Sequence, residues 1–268
     1  MPTINNSFLT LLKNKNIFIT LVIRDFGNRY LSSYIGLPWA FIQPIMYILV
    51  IWFAFTFGLR GGRHISGIAF APWLITGLVP WLFISQTMIV SANAILDYSF
   101  LIKKTTIPVF MIPIVKVFSG MIVHITLVIG IMVILYFSYN ISPSIYWIQI
   151  FYYLFALTIL LVGIALLISS INVFLRDMAH LVNIFVTMLF WATPIIWPYS
   201  MLHGNYRYIA LLNPFFYIIE GYRYTFIEHT WFFEYTEMNF LFWIFTLLIF
   251  TIGSFTFKKL QPMFADMF

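Results

Sequence analysis

Two groups of residues in this chain have types and spacings that could do chemistry. The first is Arg24, Asp25 and Arg29, three charges within six residues of "IRDFGNRY" (23–30). Arginine grips phosphate oxygens through two parallel N–H donors, so such a pair could receive a phosphorylated headgroup. The second is the late set His203, Glu220, Glu228, His229, Glu234 and Glu237, from which a metal or hydrolytic site could be assembled. No two of its histidines have ligand spacing on one helix face, and neither H-E-x-x-H nor G-x-S-x-G occurs. This set therefore reads as a solvated interfacial face, with no catalytic residue and no metal site expected. The phosphate loop G-x-x-x-x-G-K-[ST] is also missing, so the chain cannot hydrolyse ATP by that route alone.

The elements that must position these residues belong to a membrane. Of the 268 residues 62% are hydrophobic and only 8% charged, and the mean hydropathy is +0.97. A water-soluble core could not hide that much apolar surface. Charge-free stretches of the ~20 residues needed to cross a bilayer recur along the chain. Six spans are predicted, at 37–59, 69–94, 117–137, 148–170, 179–197 and 238–257. A bent or interfacial piece holding Pro108, Pro113 and Lys116 is predicted ahead of the third. None of the spans holds Asp or Glu, which leaves no carboxylate relay for an ion-coupled carrier. His124, the one titratable residue deep in a span, reads as a satisfied or channel-facing histidine. The formal charge of +6 is scattered over segment ends, where it serves topology rather than nucleic acid. With both termini inside, ten of the 14 basic residues fall on the inner side. Arg60, Arg63, Arg207 and Arg223 fall outside. The expectation is a multi-pass protein of the cytoplasmic (inner) membrane with both termini cytoplasmic.

Three non-spanning segments complete the plan. Residues 8–30 alternate apolar with basic and polar residues, which suits an amphipathic helix in the membrane interface. Residues 97–108 form a short basic inner loop. The outer segment 198–237 is rich in aromatic residues and contains a helix start: Asn213 is a good N-cap and Pro214 suits the first helical position. Phe215, Ile218, Ile219, Tyr222 and Phe226 then recur at helical spacing, with Glu220 and Arg223 placed to pair. This amphipathic helix is expected to lie at, or dip into, the outer interface. The fold class is thus all-α, with six transmembrane helices, an N-terminal interfacial helix and outer amphipathic or re-entrant helices before the last span. Residues 1–268 form one transmembrane domain, divided into an interfacial region (1–36), a bundle (37–257) and a tail (258–268).

Four motifs, in order, carry a resemblance. "IRDFGNRY", "SSYIG" and "LPWAFIQP" place Arg24, Asp25, Arg29, Tyr30, Ile35, Gly36, Trp39 and Pro44 in an R-D-x-x-x-R-Y…I-G-x-x-W-x-x-x-x-P pattern. "FLIKKTTIP" (100–108) is a basic, proline-ended loop after the second span. "NVFLRDMAHLVNIFVTMLFWATPIIWP" (172–198) leads into the fifth span through Arg-Asp and leaves it through Thr-Pro-Ile. "LNPFFYIIEGYR" (212–223) is an Asn-Pro outer helix. Together they resemble the polysaccharide-type ABC-2 permeases, membrane subunits that export lipid-linked glycans such as O-antigen, capsule or teichoic acid.

The resemblance implies a homodimer bound to two copies of an ABC ATPase subunit, which would bind the ATP and Mg, leaving no cofactor in this chain. Lys103, Lys104, Arg176 and Asp177 become candidates for ATPase coupling, beside plainer roles: positive-inside retention for the lysines, and for Asp177 an N-cap of span five. Arg24, Arg29, Tyr30 and Trp39 become candidates for receiving the lipid-linked headgroup, although a topology anchor would also account for the arginines. Because sugars present apolar C–H faces, aromatics of spans one and five could line the path, with Trp52, Phe53 and Trp191 as picks. Membrane lipids are partners in either case, and nucleic acid is not. Alternatives are an ABC-2 permease for a small hydrophobic drug or lipid, a secondary transporter or channel, and an integral membrane glycosyl- or acyltransferase.

Overall fold

The computed structural model describes residues 13–30, 34–59, 68–104, 107–204, 206–264 and 267. Residues 8–12 of the predicted interfacial helix, and Arg60 and Arg63, lie outside them. The main helices are α1 (Lys15–Tyr30), α2 (Trp39–Phe53), α3 (Phe70–Ala92), α4 (Met111–Tyr139), α5 (Ile150–Asn172), α6 (Met178–Ala192), α7 (Pro214–Arg223) and α8 (Thr236–Leu260). No strand is formed among the described residues, as a bilayer requires of a chain that satisfies its backbone within helices. Five helical stretches are long and apolar enough to cross a membrane: Trp39–Gly58, Phe70–Ala92, Met111–Tyr139, Ile145–Asn172 and Thr236–Met263.

Local sequence sets the helix ends. Pro72 falls in the first turn of α3, where its missing N–H is not needed, and Pro80 is carried inside the same helix. The third span differs from its predicted boundary. Helix α4 starts at Met111 and runs 29 residues, taking in Pro113 and Lys116 instead of leaving them in a separate bent piece. Pro113 again occupies the first turn, so it imposes no break. The far end stops at Asn140, in the left-handed conformation at φ 55°, which asparagine tolerates. The predicted fifth span is shorter, α6 being 15 residues long, or roughly 22 Å against a hydrocarbon core of ~30 Å. Pro194 forces the preceding Thr193 into extended backbone at ψ 138°, and the chain leaves the helix there.

Helices α3 and α5 form the centre, each about two-thirds buried (67%), while the first span is 6% buried and lies at the periphery. Helices α5 and α8 cross closely: a Cβ on Gly163 would come within 2.7 Å of the Phe250 Cα, and one on Gly253 would strike the Gly163 carbonyl. Small residues let membrane helices pack backbone to backbone where apolar burial supplies no preference over lipid. Helix α7 departs from expectation. Every residue from Phe215 to Arg223 is buried, so it is enclosed by the protein against α3, α5 and α8 on every side and not on one face alone. Its aromatic residues face helices on all sides, which a one-faced amphipathic reading does not anticipate.

Candidate functional site

Three features stand out: two ionic joints at opposite ends of the bundle, named inner and outer after the orientation expected from the charges, and the open faces of α2 and α6. The inner joint centres on Asp25, 3% exposed on α1. Its carboxylate pairs with Arg29 one turn along the helix at 2.7 Å and with Lys116 of α4 at 2.8 Å. Lys116 also pairs with Asp97 at 3.0 Å, at the end of the short helix Ala94–Asp97. The Tyr98 hydroxyl donates to Asp25 Oδ1 at 3.0 Å, and Arg29 Nη2 donates to the Lys116 carbonyl at 3.3 Å. Burial pushes the Asp25 carboxyl up, but the charges of Arg29 and Lys116 outweigh it and hold the carboxyl below its ordinary value. Burial and the adjacent Asp25 carboxylate push the Tyr98 phenol well up, so it remains a donor.

This joint redistributes the headgroup candidates. Arg29 is already balanced by Asp25. Arg24 is exposed and makes no ion pair among the described residues. Tyr30 is buried at 8%, edge-on to Phe26, and Trp39 is 41% exposed at the start of α2. Sequence reasoning saw Asp25 only as part of a charge cluster and read Lys116 as one more inner charge. The signal for their meeting was a lone carboxylate at i−4 from an arginine, with no second clue to the distant lysine.

The coupling candidates are spread out. Lys103 and Lys104 close the short helix Ser99–Lys104, and their side chains lie outside the described residues. Arg176 and Asp177 are exposed in the turn between α5 and α6. Asp177 makes no capping hydrogen bond; the Asn172 side chain takes that role by accepting from the Ala179 N–H at 3.1 Å. Asn172 Nδ2 also donates to Asn93 Oδ1 at 3.0 Å. One amide thereby fixes the inner end of α6 to the ends of α3 and α5.

The outer joint holds the opposite end of α6. Arg223 is fully buried. Its Nη1 donates to the Pro194 carbonyl at 2.9 Å and to Glu220 Oε1 at 2.6 Å, Nη2 to the Ile195 carbonyl at 2.8 Å, and Nε to the Trp73 carbonyl at 3.4 Å. The guanidinium also lies 3.6 Å from the Trp73 ring centre, a cation–π contact. Gly77 makes room, because a Cβ there would come within 2.6 Å of Nη2. Asn213 caps α7 by accepting from the Phe215 N–H at 3.0 Å and reaches back to the Thr193 hydroxyl at 2.7 Å. The expected Glu220–Arg223 pair is present, but it is buried and not on a solvated face, and it closes the carbonyls that Pro194 leaves open. Among the described residues no three His, Asp or Glu gather closely enough to hold a metal ion.

Helices α2 and α6 meet at one ring contact, Tyr47 lying edge-on to Phe190 at 6.5 Å. Each presents an open face. Phe53 is 61% exposed on α2 and Trp191 60% exposed on α6, whereas Trp52 packs against the core and edge-on to Phe57 at 6.0 Å. Sequence reasoning missed a set of exposed polar residues on these helices. His180, Asn183 and Thr187 are exposed along α6, and Gln43 is exposed on α2. The i, i+3, i+7 spacing within an apolar run was the available signal.

A family model described as "ABC-2 type transporter" matches residues 16–227. Two proteins of Klebsiella pneumoniae described as "O-antigen export system permease protein RfbA" are each 27% identical over 254 residues, which covers 94% of both chains. A protein of the same description from Myxococcus xanthus is 30% identical over 223 residues, covering 82% of this chain and 83% of that one.

Proposed function

We propose that this chain, which belongs to the ABC-2 type transporter family, is the membrane subunit of an exporter that moves a lipid-linked polysaccharide across the cytoplasmic membrane. The observation that carries this reading is the end-to-end likeness, over 94% of both chains, to proteins described as O-antigen export permeases. Two copies of the chain work with two copies of a separate ABC ATPase. That subunit binds ATP and Mg, and the permease contributes no cofactor site. Both termini face the cytoplasm.

The geometry supports a division of labour. Helix α6 is held at its inner end by Asn172 and at its outer end by Arg223. Its open face combines Trp191 with His180, Asn183 and Thr187, and Phe53 is exposed on α2. Polar groups left facing hydrocarbon are costly, so this face borders a hydrated path completed by the second copy. Aromatic rings there meet sugar C–H faces, and the amide and hydroxyls meet sugar hydroxyls. Arg24 receives the phosphorylated headgroup at the cytoplasmic surface, and Arg29 holds Asp25 beside it. ATPase motion enters through Lys103, Lys104, Arg176 and Asp177. The Asp25–Lys116–Asp97 joint makes α1, the turn after α3 and α4 move together.

The test is to purify the tagged protein in mild detergent and identify what accompanies it, and to follow surface glycan when the protein is depleted. A stoichiometric phosphate-loop ATPase, with lipid-linked glycan accumulating inside depleted cells, is the expected outcome. Absence of any ATPase under conditions that preserve such complexes would overturn the proposal.

A further inference from the structure

Helices α3 and α4 run antiparallel with a readable register. The His124 ring stacks flat on Phe83 with centres 4.6 Å apart. One turn inward, a Cβ on Gly120 would lie 3.0 Å from Thr87 Oγ1 and 3.2 Å from Phe83 Cε2. One turn further in, the same register brings Ser91 level with Lys116. Positions 83, 87 and 91 of α3 therefore face 124, 120 and 116 of α4, with Ser119 beside them.

This interface holds an unusual set of polar atoms. Thr87 Oγ1, Ser91 Oγ, Ser119 Oγ and His124 Nδ1 all lack a hydrogen-bond partner. Their residues are 2%, 0%, 1% and 1% exposed. Other buried hydroxyls bond back to their own helix, as Thr76 does to the Pro72 carbonyl at 2.9 Å and Thr225 to the Gly221 carbonyl at 2.7 Å. The seam hydroxyls do not. Thr246 and Tyr153 hold single unpartnered hydroxyls elsewhere, but the seam brings several together. Each end of the line lies beside a group that is itself partnered, Asp25 inward and Tyr222 outward. Inward, Ser119 lies close enough to bear on the Asp25 carboxyl without reaching a hydrogen-bond partner. Outward, His124 Nε2 meets the Tyr222 hydroxyl of α7 at 2.6 Å.

Buried polar groups in native proteins are almost always satisfied, and a run of orphans in one seam calls for a shared partner. That partner must be small, neutral and able both to donate and to accept, since hydroxyls and an imidazole nitrogen offer both roles and no net charge. Water meets these terms. We infer that the α3–α4 seam is a binding site for a line of ordered waters running from Asp25 to His124. The waters join the inner joint to α7 through hydrogen bonds along the seam. The inference holds whatever the cargo.

Hydroxyl-radical footprinting of the intact protein in lipid nanodiscs tests it, because side chains touching bound water are oxidised in spite of burial. Phe83 and His124 should label faster than Phe226 and Phe242, which are buried as deeply (0% and 1% exposed) but lie away from the seam. The excess should vanish in a Thr87→Val/Ser119→Ala variant. Thr87→Val alone should lower the thermal midpoint, because it strips a partner from the water line. In a dry seam the same substitution removes an orphan hydroxyl and raises the midpoint. Labelling no faster than that of Phe242, or a midpoint at or above that of the unaltered protein, overturns the inference.

Discussion

Lys116 of α4 places its ammonium between two carboxylates, 2.8 Å from Asp25 of α1 and 3.0 Å from Asp97 of the turn after α3. Asp25 and Lys116 thus join elements that are far apart along the chain. Breaking a buried pair leaves an uncompensated charge, at a cost of roughly 3–5 kcal/mol. Lys116→Ala should lower the thermal midpoint and abolish export. Combining Lys116→Met with Asp25→Asn removes both charges and should recover much of the midpoint. Melting curves of purified protein, read beside export, check the pair.

The same carboxylate gives a pH dependence of known sign. Its folded-state value is depressed by Arg29 and Lys116, so its contribution to stability is complete above the ordinary aspartate value of ~3.9. The contribution is lost as pH falls through the lower folded value. Acid melting series of the unaltered protein and of Asp25→Asn should converge at the acid end and separate above it. Parallel curves throughout would mean that Asp25 is not held in the joint.

Arg24 and Arg29 should respond differently to the same change. Arg29→Ala should destabilise the protein, because Asp25 loses a partner. Arg24→Ala should leave the midpoint within about 0.5 kcal/mol of the unaltered protein, as for an exposed side chain, and slow export. Export unchanged in Arg24→Ala would remove it from headgroup reception.

Arg223 uses planarity that lysine lacks, serving the Glu220 carboxylate and three carbonyls from a rigid fork. Arg223→Lys should therefore reduce export and thermal stability despite keeping the charge. Gly77→Ala should act in the same direction by displacing Nη2. Gly130→Ala, where an added Cβ meets nothing within 4 Å, is the control and should be silent. Protein level and export measured together distinguish the three.

Trp52 and Trp191 should separate packing from path. Trp52 lies against the core, so Trp52→Ala should lower protein level and export in step. Trp191 is 60% exposed beside the polar stripe of α6, so Trp191→Ala should slow export with the level kept. Equal losses of level and export in both variants would place Trp191 in packing as well.

Much of this architecture was written in local patterns. Apolar run length marks the membrane helices, the residue before Pro194 ends α6, and Asn213-Pro214 begins α7. These are short-range rules, in which a backbone preference or a missing N–H acts on near neighbours. The Glu220–Arg223 pair was legible for the same reason, being i, i+3 on one helix.

Which of those residues are buried was not legible. Helix α7 has an aromatic, interfacial composition, yet its burial depends on α3, α5 and α8 closing around it. Asp25 was legible only as part of a charge cluster until Lys116 met it from another helix. Trp52 and Trp191 differ in exposure because one faces the core and the other the open face of α6. By itself the sequence determined the class and most of the helices, since those follow from hydropathy and from contacts within a few residues. The tertiary structure alone decided which charges are neutralised, which aromatic residues face outward and where the orphan hydroxyls line up, because each depends on helices that meet only after the chain has folded.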